Sequence, residues 1–167
     1  NEINFDLTTS LTVDSVRYHG SAVSFVQLTG DLLKITFPSI IPVNILDSVK
    51  VYYQGIPPND GFGSFAQSTH NAIPVIWTLS EPYGAKVWWP CKQSLNDKVD
   101  SIDVFVTTPQ AYRVASNGVL ISEIQNGINK IYHWQSHYPI AAYLVAIAVT
   151  NYSVYSDYLS LGINGTL

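Results

Sequence analysis

An antiparallel, sandwich-like all-β fold is predicted for this chain by three features: apolar residues alternating at period two, turn signals between those runs, and prolines throughout. The alternation is explicit in Ile3, Phe5 and Leu7, which interleave with Asn4 and Asp6. It recurs in Ile35–Thr36–Phe37, in Val49, Val51 and Tyr53, in Ile73, Val75 and Trp77, and in Ile102, Val104 and Val106. Period two with β-branched and aromatic residues marks strands that bury one face. The runs are separated by Thr29-Gly30-Asp31, Gln54-Gly55 with Pro57-Pro58, Asn59-Asp60-Gly61, Asn117-Gly118 and Asn126-Gly127, all turn formers. No window sustains a capped 3.6-residue period, and nine prolines in 167 residues disfavour long helices. The segment 141-AAYLVAIAV-149 is nearly continuous in apolar residues. It reads as a central strand buried on both faces, with a short buried helix as the alternative that periodicity leaves open.

Composition limits the functions. With 47% hydrophobic and 12% charged residues, the chain reads as one folded β domain over 1–167, long enough to bury a core. A net charge of −4 offers no basic footprint for nucleic acid. No apolar run reaches the roughly 20 residues of a membrane span. The single cysteine, Cys91, excludes an intrachain disulfide framework. The absence of methionine suggests a fragment or a trimmed product. A removed signal peptide would fit, and a secreted or periplasmic location is favoured. Asn151-Tyr152-Ser153 and Asn164-Gly165-Thr166 fit the glycosylation acceptor pattern.

Few residues suggest chemistry. His133 and His137 are four apart but lack the glutamate of an HExxH zinc helix. Their surroundings read as strand, where positions i and i+4 lie about 13 Å apart, too far for one zinc ion. His19 and His70 stand beside turns. No phosphate loop, GxSxG elbow or carboxylate dyad is present. The best lead is 78-TLSEPYGAKVWWPCKQ-93. Trp88 and Trp89 suit packing at a corner of the fold, and Cys91 suits a small buried site. Glu81 is held before Pro82, which restricts its backbone and directs the loop. A carboxylate on such a loop is a candidate receptor for a cationic group.

This segment resembles the TxxEP…A(R/K)xxxPC stretch in the N-terminal domain of the aminopeptidase N family of zinc metallopeptidases. The resemblance continues in order through 5-FDLTTSLTVDSVRYHG-20, 32-LLKITFPSII-41, 49-VKVYYQGIPP-58, 100-DSIDVFVTTPQAYRVASNGVL-120 and 138-YPIAAYLVAIAVTNYSV-154. It implies a saddle-shaped, multistranded β domain that packs against a downstream thermolysin-like catalytic domain. The family's HExxH zinc site and GxMEN motif would lie in that domain. Zinc would then be a cofactor of the parent enzyme, with none held by this chain, and the chain alone would be inactive. The resemblance also gives Glu81 a role, binding the free α-amino group of a peptide substrate, with Tyr83 a neighbour in the same pocket. Two positions depart from the pattern. Leu79 replaces a glutamine found in many members, and Lys92-Gln93 replace an aromatic–Asp pair. The expected partners are the chain's own catalytic domain and peptides with a free N-terminus. The alternative is a stand-alone β-sandwich that binds carbohydrate or protein through Trp88 and Trp89.

Overall fold

A computed structural model of the chain describes residues 1–59 and 63–157. Thirteen strands pair wholly antiparallel in four sheets among these residues. The first half holds β1 (Glu2–Asp6), β2 (Thr12–Tyr18), β3 (Ser21–Ala22), β4 (Ser24–Leu28), β5 (Leu32–Thr36) and β6 (Val49–Gln54). These form two three-stranded sheets, β1-β5-β4 and β3-β2-β6. Period-two alternation turns Leu33 and Ile35 of one sheet inward, and a bulge between Val13 and Ser15 lets both Val13 and Val16 of the other face them. Leu7, Leu11 and Phe37 complete this core, and Val49, Val51 and Tyr53 pack against it. The β4–β5 hairpin turns at Gly30 and Asp31, both with positive φ, as the Thr29-Gly30-Asp31 signal predicts.

The second half holds β7 (Ala66–His70), β8 (Ile73–Trp77), β9 (Ile102–Pro109), β10 (Arg113–Ser116), β11 (Val119–Asn126), β12 (Asn129–Ser136) and β13 (Ile147–Thr150). They make the sheets β10-β13-β8-β7 and β11-β12-β9. Val114, Tyr132 and Val149 form the core between these sheets, with Ile76, Val106 and Trp134 packed on it. The Asn126-Gly127 signal lies at the β11–β12 hairpin, where Asn126 pairs with Asn129. Asn117-Gly118 links β10 to β11, with Gly118 at φ +86° and no room for a side chain, because a Cβ would lie 1.9 Å from the Gln135 carbonyl oxygen. In the Asn59-Asp60-Gly61 signal, residues 60 and 61 lie outside the described residues.

One expectation is corrected. Segment 141–149 is not a single strand buried on both faces. Ala142–Leu144 form one 3₁₀ turn, and β13 begins only at Ile147. Asn117 explains the break: its amide nitrogen donates to the Leu144 carbonyl at 2.9 Å, while its carbonyl accepts from the Ala146 N–H at 2.7 Å. A side chain thus satisfies backbone groups that a ladder would otherwise occupy. β13 itself is central, between β10 and β8. Among the described residues, helix elsewhere is limited to a single turn, Ala85–Val87.

Candidate functional site

The segment 78–93 lies where the two halves meet. Its far end pairs with β1: the Asp6 N–H donates to the Cys91 carbonyl at 2.7 Å, and the Cys91 N–H returns to the Asp6 carbonyl at 3.1 Å. The Thr8 N–H donates to the Lys86 carbonyl at 2.9 Å. Its near end follows β8, where the Thr78 N–H reaches the Ile147 carbonyl at 3.1 Å. Between these anchors, Ala85, Cys91 and Ala142 form a small core of their own, with Trp89 against it. Cys91 is therefore a packing residue. Burial, reinforced by the Asp6 carboxylate, pushes its thiol up to about 12.

The turn is braced from below. The buried Ser80 hydroxyl accepts from the Trp88 indole N–H at 3.0 Å and donates to the Ser64 carbonyl at 3.4 Å. The Gly84 N–H donates to the Ser80 carbonyl at 2.8 Å. Tyr53, in β6, donates its hydroxyl to the Trp88 carbonyl at 3.0 Å, and burial raises its own phenol to about 12. The Trp88 ring packs beside Phe65 and Trp89, with centroids 6.3 and 6.1 Å away. Both tryptophans are half-buried, and Trp88 braces the turn through Ser80.

Gln93 enters the sequence reading only as a departure, yet it is central to the turn. Its amide nitrogen donates to the Tyr83 carbonyl at 2.6 Å, and its amide oxygen accepts from the Lys86 N–H at 3.3 Å. Its backbone N–H donates to an Asp6 carboxylate oxygen at 3.1 Å. One side chain thus ties the turn to its return limb. Nothing in the sequence signals this, because glutamine is common on surfaces and its partners here are backbone groups.

On this base, residues 81–84 form a turn with a cis Glu81–Pro82 bond. Glu81 and Tyr83 are both exposed, as is Leu79 just before the turn. The turn therefore presents a carboxylate flanked in sequence by two apolar side chains. An exposed carboxylate of this kind can accept a cationic group.

The histidines do not form a site. His133 pairs with Asp103 at 2.6 Å and stacks on Phe105 at 4.1 Å, and His137 lies beyond the end of β12. The His133 hydrogen bond holds the Asp103 carboxyl below its ordinary value. His19 pairs with Asp47 at 2.7 Å, and His70 with Asn71 at 3.2 Å. Among the described residues, no three His, Cys, Asp or Glu side chains gather as a metal site. These residues do not fit a zinc ion.

No protein-family model and no curated protein matches the chain by sequence. Solved structures match by shape. A zinc metallopeptidase of the M1 class from Deinococcus radiodurans superimposes at a TM-score of 0.77 and 22% identity, over 89% of this chain and 34% of that one. A mutant of the Deinococcus enzyme with a bound Tyr-Ser-Ala substrate matches equally well, at 0.77. Leukotriene A4 hydrolase from Saccharomyces cerevisiae matches at 0.64 and 20% identity, over 90% of this chain and 23% of its own. This chain has the fold of a β portion of the M1 zinc metallopeptidases. It spans about a third of the length of the Deinococcus enzyme. The match agrees with the antiparallel all-β architecture.

Proposed function

We propose that this chain is the N-terminal, non-catalytic β domain of a zinc-dependent aminopeptidase, and that it supplies one wall of the substrate cleft. Zinc and the hydrolytic groups belong to a downstream catalytic domain. When bound there, the metal would activate water for attack on the first peptide bond. The contribution of this chain is to position the substrate. Glu81 receives the free α-amino group, and Tyr83 lies beside it as a second wall residue.

The observation that carries this reading is an exposed carboxylate on a fixed turn. Ser80, Trp88 and Gln93 hold the turn from within, while Glu81 itself is exposed and takes part in none of the ion pairs among the described residues. With its backbone already braced, the turn has less freedom to lose when an ammonium arrives at the Glu81 carboxylate. The charge-assisted hydrogen bond then strengthens as a cleft excludes water. The M1 fold supports the same reading, since one of the matched structures carries a peptide.

The test is Glu81→Ala in the longer protein. A hydrogen bond to a charged group is worth about 1.5–3 kcal/mol, so kcat/KM for substrates with a free amino terminus should fall roughly ten- to hundredfold. Thermal stability should stay close to wild type, because an exposed carboxylate outside any ion pair contributes little. A kcat/KM within about twofold of wild type would reject the amine-anchor role.

A further inference from the structure

Gln93 satisfies two backbone groups at once, and their polarity fixes how its amide lies. The Tyr83 carbonyl can only accept, so the end facing it at 2.6 Å is the amide nitrogen. The Lys86 N–H can only donate, so the end facing it at 3.3 Å is the amide oxygen. Turning the amide over would set oxygen against oxygen and N–H against N–H. The Cys91 thiol, 3.9 Å away, also donates toward the amide oxygen. The half-buried side chain thus has one productive orientation.

The residue is also fixed at its base. Its backbone N–H donates to an Asp6 carboxylate oxygen at 3.1 Å, and the Asp6 backbone is itself bonded to Cys91. Lys86, whose N–H the amide holds, is tied again through its carbonyl to the Thr8 N–H and through its ammonium to Asp31, each at 2.9 Å. Gln93 therefore stands on β1 and the β1–β2 connection and reaches across to the turn that carries Glu81. The near side of that turn is held separately, by the Ser80 hydroxyl on the Trp88 indole at 3.0 Å. The far side, two residues past Glu81, is held at the Tyr83 carbonyl by the Gln93 amide. The two ties together set where the Glu81 backbone sits.

We propose, on the reading of Glu81 as the amine receptor, that Gln93 is a positioning residue for the substrate ammonium, acting through Glu81 by holding the Tyr83 carbonyl, and that it can do so only with a donor at that end. Releasing the carbonyl would let the turn sample positions in which Glu81 misses the ammonium, and a displacement of about 1 Å can cost up to about a hundredfold in rate. The loss here is smaller, because Ser80 still holds the near side. The need for a donor can be separated from the need for bulk. A carboxyl of the same length would still accept from the Lys86 N–H, but its second oxygen would face the Tyr83 carbonyl oxygen. Ionised, it would repel that oxygen. The charged groups around it favour no ionised form: Asp6 at the base is an acid, the Lys86 and Lys92 ammoniums are paired with Asp31 and Asp97 at 2.9 and 3.0 Å, and the Cys91 thiol is a neutral donor. Protonated, the carboxyl would donate its O–H to the Tyr83 carbonyl and restore the tie.

Steady-state kinetics of the longer protein, on substrates with a free amino terminus, test the proposal in two backgrounds. Gln93→Met keeps the length of the side chain and removes its donor and acceptor. It should lower kcat/KM about three- to tenfold in the native background. In the Glu81→Ala background it should lower kcat/KM by less than about twofold, because the group it positions is gone. Gln93→Glu should show the larger loss at neutral pH. Relative to wild type at the same pH, it should regain most of that loss as pH falls toward the carboxyl range, while Gln93→Met should not. The pH ratio of Gln93→Glu also decides the matter if Gln93→Met does not fold. Equal losses from Gln93→Met in both backgrounds, beside a loss from Glu81→Ala alone, would assign Gln93 to folding only and overturn the proposal while leaving Glu81 as the amine receptor. An unchanged kcat/KM for Gln93→Met, or a Gln93→Glu ratio flat with pH, would overturn it in the same way. An unchanged kcat/KM for Glu81→Ala alone would reject the amine receptor itself, and the role of Gln93 with it.

Discussion

Gly84→Ala tests whether the turn that carries Glu81 is packed as tightly as its geometry indicates. Gly84 has φ −89° and ψ −8°, a conformation open to any residue, so backbone preference does not require glycine here. Space does. A Cβ at this position would lie 2.1 Å from the Ser64 hydroxyl oxygen, 2.8 Å from the Ser64 Cβ and 3.1 Å from the Ser80 Cα. The hydroxyl could rotate away, but the Ser64 Cβ and the Ser80 backbone could not. Ser64 is 1% exposed and Ser80 2%, so neither can move into solvent. Overpacking of this kind costs about 1–3 kcal/mol. For a chain of this size each kcal/mol lowers Tm by roughly 2–4 °C, giving an expected drop of about 2–12 °C by calorimetry.

The cause can be isolated with a second substitution. Ser64→Gly removes both clashing side-chain atoms, so Gly84→Ala in that background should cost less than half of its effect in the native background. That difference is a coupling energy, which only neighbours in contact display. In the longer protein, Gly84→Ala should also lower kcat/KM through displacement of the turn, and Ser64→Gly should recover part of that loss. A Tm within about 1 °C of wild type would refute the packing argument, and equal costs in the two backgrounds would refute its assignment to Ser64.

Two further outcomes follow, one from buried groups and one from a close backbone approach. The Cys91 thiol and the Tyr53 phenol are raised to about 12 from ordinary values of 9.0 and 10.0. A raised acid pKa stabilises the fold fully below the unfolded value and loses that contribution as pH climbs to the folded one. Tm should therefore fall between about pH 9 and 12, and Cys91→Ala should flatten the early part of that fall; a parallel curve would contradict it. Gly118→Ala should destabilise by at least about 1–3 kcal/mol, since it combines a positive φ with a Cβ 1.9 Å from a backbone oxygen. An unchanged denaturant midpoint for that variant would count against the turn geometry.

The strands are legible because each carries its own signal. Period-two alternation at Ile3–Leu7, Val49–Tyr53 and Ile102–Val106 reports a buried face without reference to any partner. Segment 141–149 misleads because a continuous apolar run has no face to report. The break between the 3₁₀ turn and β13 is set by Asn117, which lies 27 residues before Leu144 and 29 before Ala146. No window along 141–149 contains that information.

The candidate site divides along the same line. Glu81 stands out locally, as a carboxylate before proline in an aromatic-rich loop. What fixes it is non-local: Ser64 is 16 residues from Ser80, Tyr53 is 35 from Trp88, and Asp6 is 87 from Gln93. Gln93 shows the consequence most clearly. As a departure from the aromatic–Asp pattern it weakens the resemblance, yet it clamps the Tyr83 carbonyl and the Lys86 N–H together. A glutamine can do this because it offers a donor and an acceptor on one rigid group, whereas an aspartate offers acceptors only and could not hold the Tyr83 carbonyl. Any site that relies on a positioned carboxylate needs such a clamp, since an unbraced turn would lose to disorder what Glu81 gains in attraction. The residues that make the chemistry are chosen by type, and those that hold them are chosen by reach. Only the first choice is written in the local sequence.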